Sequence, residues 1–281
     1  NLIFRNFTFD ELWEWDDGGT VEAEKATYAR GGYKRNDWDY FCIDSESDGV
    51  WIDHCTFYKA YDGLIDIKNP KTGGEERVTI SWCKFEPKSA PDENGKHPFY
   101  DAQLDALEED YAKGENAKAI YYRSLRTTEA FTHTYTKYTN GVGKEETESF
   151  KGEGYSIDDI VTYTCGHKKA HLLGQSDTAE NAVGIRVTFA NNSWVNCMER
   201  LPRLRRGISH EYNCILDASE LYAAREAGSK ATGHLVSNGA TSTVDGSIFL
   251  ENCYIDGIIR PLLSGNTDSP RGYIGFEGCE Y

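Results

Sequence analysis

Val50-Trp51-Ile52-Asp53-His54-Cys55-Thr56-Phe57 and Val78-Thr79-Ile80-Ser81-Trp82-Cys83-Lys84-Phe85 are two copies of one frame, set 28 residues apart. Each places apolar residues five and three positions before a cysteine. The frame returns at Ile248 and Leu250 before Cys253, and at Ile274 and Phe276 before Cys279, with weaker copies around Cys165, Cys197 and Cys214. Alternation with period two in Val-, Ile-, Thr-, Phe- and Tyr-rich segments that end on Asn, Asp or Gly marks short strands followed by turns. No copy can bury its apolar face alone. Stacked as parallel strands about 4.8 Å apart, the copies bury one continuous core, which predicts an all-β solenoid of parallel strands.

In that stack the cysteines form an internal ladder of small buried hydrophobes. Disulfides between neighbouring coils are the rival reading, because the spacing of adjacent strands lies within disulfide reach. The eight cysteines include no C-x-x-C pair, which leaves a zinc ribbon or a thioredoxin-type motif without its ligands.

Between Cys83 and Cys165 the interval is 82 residues, far more than one coil. The excess, residues 88–156, is polar and Tyr-rich. Tyr100, Leu104, Leu107 and Tyr111 share one face of a predicted helix over Tyr100 to Tyr111. A long excursion from a repeat stack is read as a lid or binding loop inserted into a single domain spanning 1–281, with a plain surface flap as the alternative. Tyr121, Tyr122, Tyr135 and Tyr138 within it can stack on sugar rings or pack among themselves. Both ends of the chain show a strand pattern without a cap, so further N-terminal coils, a capping segment or a partner are expected there.

Composition narrows the function. Thirty basic against 46 acidic residues give a formal charge of -16, unsuited to a sequence-independent grip on nucleic acid. No run of about 18 apolar residues exists to span a membrane.

Against this acidic background two groups of opposite charge stand out. Asp37-Trp38-Asp39 and Asp62-Gly63-Leu64-Ile65-Asp66 are separated by 23 residues from Asp39 to Asp62, close to one coil, so their carboxylates converge. An oxygen-only cluster suits calcium, a hard ion that takes six to eight oxygens. Lys168-Lys169 and Arg200-Leu201-Pro202-Arg203-Leu204-Arg205-Arg206 lie 31 residues apart from Lys169 to Arg200, again about one coil, and can line the next rungs. Screening over about 8 Å makes such a local cation cluster, and not the distant net charge, what a bound polyanion feels. A solvated acidic edge and a salt-bridged basic rung are the plainer alternatives.

Val-Trp-Ile-Asp-His-Cys (50–55), Asp-Gly-x-x-Asp-Ile-Lys (62–68) and Arg-x-Pro-x-x-Arg (200–205), in this order, resemble the pectate lyases of polysaccharide lyase family one. The resemblance implies a right-handed parallel β-helix that cleaves polygalacturonate with calcium outside the cell: secreted, periplasmic or at the cell surface. It implies Asp39, Asp62 and Asp66 as calcium carboxylates with Asp37 as a helper, Arg200 as the base, and Lys169 and Arg205 as cations for substrate carboxylates. Trp51 to Cys55 would be structural. The aspartates favour unesterified pectate over the methyl ester that metal-free pectin lyases take.

The chemistry agrees with that set. Removing the C5 proton of a uronate is hard while the adjacent carboxylate is charged, and calcium offsets that charge. A guanidinium base is awkward because its reference pKa exceeds 12; one like charge at about 5 Å, at an effective dielectric near 20, lowers it by roughly two units. Two other readings compete: a polygalacturonase-type hydrolase, for which Asn266-Thr267-Asp268 is a superficial match, and a noncatalytic pectin-binding β-helix.

Overall fold

The computed structural model describes residues 1–10, 39–45, 47–58, 63–87, 105, 109, 123–139, 142–156, 169–228 and 238–281. Three parallel sheets run the length of the stack. Sheet 1 contains seven strands: Leu2–Arg5, Val50–Asp53, Glu76–Ser81, Ile185–Ala190, Ile208–Tyr212, Ser247–Glu251 and Tyr273–Glu277. Sheet 2 holds Phe41–Ser45, Ile65–Pro70, Leu172–Leu173, Arg203–Arg205, Asn238–Thr243 and Arg260–Ser264. The short strands Thr8–Phe9, Thr56–Phe57, Lys84–Phe85, Ser193–Val195, Ile215–Asp217 and Tyr254–Asp256 make sheet 3. The chain visits sheet 1, sheet 3 and sheet 2 in turn, once per coil. The fold is an all-β parallel β-helix.

The repeated frame explains each part of a coil. Its apolar positions are the inward residues of sheet 1, aligned as Phe4, Ile52, Ile80, Phe189, Glu211, Leu250 and Phe276 down one column. A single residue in the left-handed region then turns the chain towards sheet 3: Asn6, His54, Trp82, Asn191, Asn213, Asn252 and Gly278. Asn and Gly tolerate that conformation best, which accounts for five of the seven. Trp82 and His54 adopt it with their rings stacked at 5.9 Å.

From the second coil onward the residue after the bend points inward. It is cysteine at 55, 83, 214, 253 and 279, and the thiols bond to the carbonyl two residues earlier, as in Cys55 to Asp53 at 3.3 Å and Cys83 to Ser81 at 3.3 Å. All seven cysteines among the described residues are free thiols. In the coil after Cys83 this rung is filled by Asn192, not by Cys197 as the spacing suggested. The buried Asn192 amide accepts from the Cys83 N–H at 2.8 Å and donates to the Ile80 carbonyl at 2.8 Å. Cys197 lies beyond the sheet 3 strand. Sheet 3 adds an aromatic stack, Phe9 on Phe57 on Phe85 on Trp194, with centroids 4.8, 5.1 and 5.6 Å apart. Each fully buried ring of this kind contributes about 1.5–3 kcal/mol.

The expected insertion enters between sheets 3 and 2, after Phe85 and before Leu172. Its described part is chiefly an antiparallel hairpin, Phe131–Thr139 paired with Val142–Phe150, and the helical share among the described residues is minor, at 105, 109 and 123–126. Of the predicted helix, Asp105 and Glu109 are helical. Tyr100, Leu104, Leu107 and Tyr111 lie outside the described residues, as do Tyr121 and Tyr122 and the side chains of Tyr135 and Tyr138. No helix among the described residues is long and apolar enough to cross a membrane.

Candidate active site

Sheet 2 and the segments leading into it carry opposite charges on successive coils. Cys42 pairs with Asp66, Ile67 with Leu173, and Leu172 with Arg203. Lys169 bridges to Glu199, the neighbour of Arg200. The order along the stack is therefore Asp39, Asp66, Lys169, then Arg200 to Arg205: acid, acid, base, base.

The two acids meet at Gly63. Asp39 accepts from the Gly63 N–H at 2.8 Å, and Asp66, only 6% exposed, accepts from the Leu172 N–H at 2.9 Å. A Cβ at Gly63 would fall 2.7 Å from Asp39 Oδ1 and 3.0 Å from Asp66 Oδ1. Both carboxylates thus reach one point from either side, leaving a cradle that any other residue would fill. Backbone N–H donors hold the acids in place, and an all-oxygen pair suits a hard divalent cation. Asp62 and Asp37 lie outside the described residues, and among those described no group of three acids, histidines or cysteines forms a metal-binding cluster. What the geometry supplies is half of the expected ligand set, fit for calcium.

Across from Asp66 stands Arg200. Its Nη1 is 3.9 Å from Asp66 Oδ2, and its side chain is 14% exposed. Arg200 has φ of +64°, a conformation a long side chain adopts at a cost of about 1–2 kcal/mol and one that recurs at functional sites. Arg205 is tied down: Nε donates to Asp177 at 2.7 Å, Nη1 donates to the Gly174 carbonyl at 2.9 Å, and its side chain is 13% exposed.

Three residues of these rungs had no role in the sequence pattern. Arg203 shares the outward face of its strand with Arg205 and donates to Ser269 at 3.1 Å. Burial lowers its pKa, and the charges of Arg205 and Arg200 lower it further. Asp177 is the counter-ion of the rung. Burial pushes its pKa up, but hydrogen bonds from Ser269 and Arg205 and the charges of Arg205 and Arg203 bring it below the usual carboxylate value. Lys68 stands on the acidic rung, its pKa raised first by a hydrogen bond with Cys42 and then by that group's charge, against a partial loss from burial, with Asp44 and Asp66 adding to the rise. Two-residue alternation along Arg203 to Arg205 was the signal for Arg203. Nothing in spacing marks Asp177.

Trp51 to Asp53 lies on sheet 1, with His54 and Cys55 in the bend that follows. Buried Asp53 accepts from Ser81 at 2.7 Å and pairs with His54 at 2.8 Å and Arg5 at 2.8 Å, while the Trp51 indole donates to Ser81 at 2.8 Å.

Fold and site together define a parallel β-helix protein with a row of acids and bases along one sheet. A family model described as pectate lyase matches residues 157–254. The chain is 32% identical over 98% of its length to pectate lyase B of Paenibacillus amylolyticus, of which it spans 61%. Pectate trisaccharide-lyase of Thermotoga maritima is 24% identical over 76% of the chain and 32% of its own length. The solved structure of a pectate lyase (pelN) from Paenibacillus sp. 0602 superimposes with a TM-score of 0.71 at 31% identity, covering 99% of this chain and 55% of that one. The chain is similar to pectate lyases along nearly all of its length, and it spans about three fifths of the first of these relatives.

Proposed function

We propose that this chain is the catalytic β-helix of a calcium-dependent pectate lyase, cleaving polygalacturonate by β-elimination. The observation that carries the reading is the acidic cradle of Asp39 and Asp66, whose Asp66 Oδ2 lies 3.9 Å from Arg200 Nη1. Asp39 and Asp66 would hold calcium, joined by Asp62 and Asp37. When bound, the ion offsets the charge of the substrate carboxylate and makes the C5 proton more acidic.

The remaining chemistry belongs to the basic rung. Arg200 takes the C5 proton. The C4–O bond then breaks, a double bond forms between C4 and C5, and the departing oxygen takes a proton from solvent. Lys169 and Arg205 bind uronate carboxylates and stabilise the developing charge. Arg205 does so from a fixed fork, since Asp177 and Gly174 immobilise it before substrate arrives. Only a neutral guanidine can accept the C5 proton, so turnover rises with pH.

The domain reading follows: one β-helix, with 88–156 inserted into it as a lid. Pectate is met outside the cell, so export to the surface, periplasm or medium is part of the proposal.

The test is polygalacturonate with calcium or with chelator, read by ultraviolet absorbance. Absorbance from 4,5-unsaturated ends that disappears on chelation supports the reading. New reducing ends without absorbance would indicate a hydrolase, and binding with neither a noncatalytic pectin-binding protein; both overturn it.

A further inference from the structure

His171 is fully buried, in edge contact with Phe85 at 4.7 Å and tilted against Phe189 at 5.0 Å. Two polar partners reach it. The Trp194 indole nitrogen is 2.9 Å from Nε2, and the Ile65 carbonyl oxygen is 3.2 Å from Nδ1. An indole N–H only donates, so Nε2 is the acceptor; a neutral ring then carries its proton on Nδ1 and donates it to Ile65. Burial lowers the pKa to about 3, so the ring stays neutral across the working range.

These bonds cross three consecutive coils. Ile65 precedes Asp66 in its strand, while Trp194 belongs to the coil that carries Arg200. The His171 backbone closes the remaining links: its N–H donates to the Arg200 carbonyl at 2.8 Å, and its carbonyl accepts from Arg203 at 2.9 Å. The next residue, Leu172, holds Asp66 itself at 2.9 Å.

We propose that His171 is a positioning residue that sets the separation of the acidic and basic rungs, through a proton held on Nδ1. It touches neither substrate nor metal. As to catalysis it rests on the reading above; as to the acidic cradle it stands on the bonds themselves. A leucine would fill the same space yet leave the Ile65 carbonyl and the Trp194 N–H buried without partners, free to relax the strand that carries Asp66.

The first test uses the wild-type protein: nitrogen NMR of the histidine rings between pH 5 and 9. The expected result is a protonated Nδ1 with no titration; a protonated Nε2, or a midpoint inside that range, overturns the proposal. The second compares His171→Asn, which keeps a donor near the Nδ1 place, with His171→Gln, which keeps a polar atom only near Nε2, and His171→Leu. Calcium titration calorimetry should give binding within about threefold of wild type for Asn and about ten- to a hundredfold weaker for Gln and Leu. Equal binding by all three folded variants overturns it. If Gln and Leu do not fold, Trp194→Phe removes only the donor to Nε2; a proton that moves to Nε2 with unchanged calcium affinity overturns it. Wild type that binds calcium but makes no unsaturated product sinks the lyase reading and leaves this inference standing. Unsaturated product from wild type with undiminished calcium binding in His171→Leu sinks this inference alone, and no calcium binding by wild type sinks both.

Discussion

Asp66 and Arg200, 134 positions apart in the chain, approach within 3.9 Å because two coils of the stack separate them and no more. Arg200→Lys should lower turnover on polygalacturonate at least about a hundredfold while melting within a few degrees of wild type, since a point charge replaces a planar fork at the same place. Asp66→Asn keeps an oxygen for the Leu172 N–H yet loses its charge, and should weaken calcium binding before it affects folding. Turnover kept in the first variant, or an unchanged calcium titration in the second, would reject the corresponding role.

Gly63→Ala places a methyl 2.7 Å from Asp39 Oδ1, 3.0 Å from Asp66 Oδ1 and 3.3 Å from the Ala170 carbonyl. The carboxylates must part. A folded protein with calcium affinity reduced roughly tenfold or more is the expected outcome of calorimetry. Undiminished affinity would show that the cradle is not where the ion sits.

Asn192→Ala removes the acceptor for Cys83 N–H and the donor to the Ile80 carbonyl from a buried rung. Each orphaned backbone group costs about 1–3 kcal/mol, so chemical denaturation should show a loss of several kcal/mol with the fold retained. A loss below about 1 kcal/mol would mean that neighbouring groups take over both bonds.

Glu211 lies in the inward column between Phe189 and Leu250, with neither carboxyl oxygen hydrogen-bonded among the described residues. Burial raises its pKa well above the ordinary 4.5, with the nearby Cys253 acting in the same direction. Glu76, at the mouth of the same interior, is raised to about 7, first by burial and then by Asp44 and Asp48. A group raised in the folded state binds its proton more tightly there than in the unfolded chain. Stability therefore falls as pH climbs above about 4.5, through about 7 for Glu76 and beyond that for Glu211. Glu211→Leu should gain about 1–3 kcal/mol at pH 9 and less at pH 5 by thermal unfolding. An equal gain at both values would rule out a proton-linked penalty.

Glu211 also shows where sequence reading reached its limit. The frame around Cys55, Cys83, Cys253 and Cys279 is legible because Val, Ile, Leu and Phe fill the inward positions. Around Cys214 those positions are Ser209 and Glu211, both buried, and the copy looks weak although its backbone is in full register. Cys197 misled for the converse reason: a buried cysteine at a plausible interval, while Asn192 held the rung. Asp39, Asp66, Lys169, Arg200 and Arg205 could be placed on neighbouring coils because the repeat length is a ruler. His171 could not, since a histidine among apolar residues looks the same whether it packs or positions. The hairpin at Phe131–Thr139 and Val142–Phe150 did carry a signal, Asn140-Gly141 between two alternating stretches, obscured by the polarity of both strands.

The excursion at 88–156 leaves the stack in the connection from sheet 3 to sheet 2, the same connection that in successive coils ends on Asp39, Gly63, Lys169 and Arg200. Flanking coils pair through Val78 with Val187 and Ile67 with Leu173 whatever its length. Natural selection can therefore lengthen, shorten or replace that stretch while the ruler that spaces acid from base stays untouched.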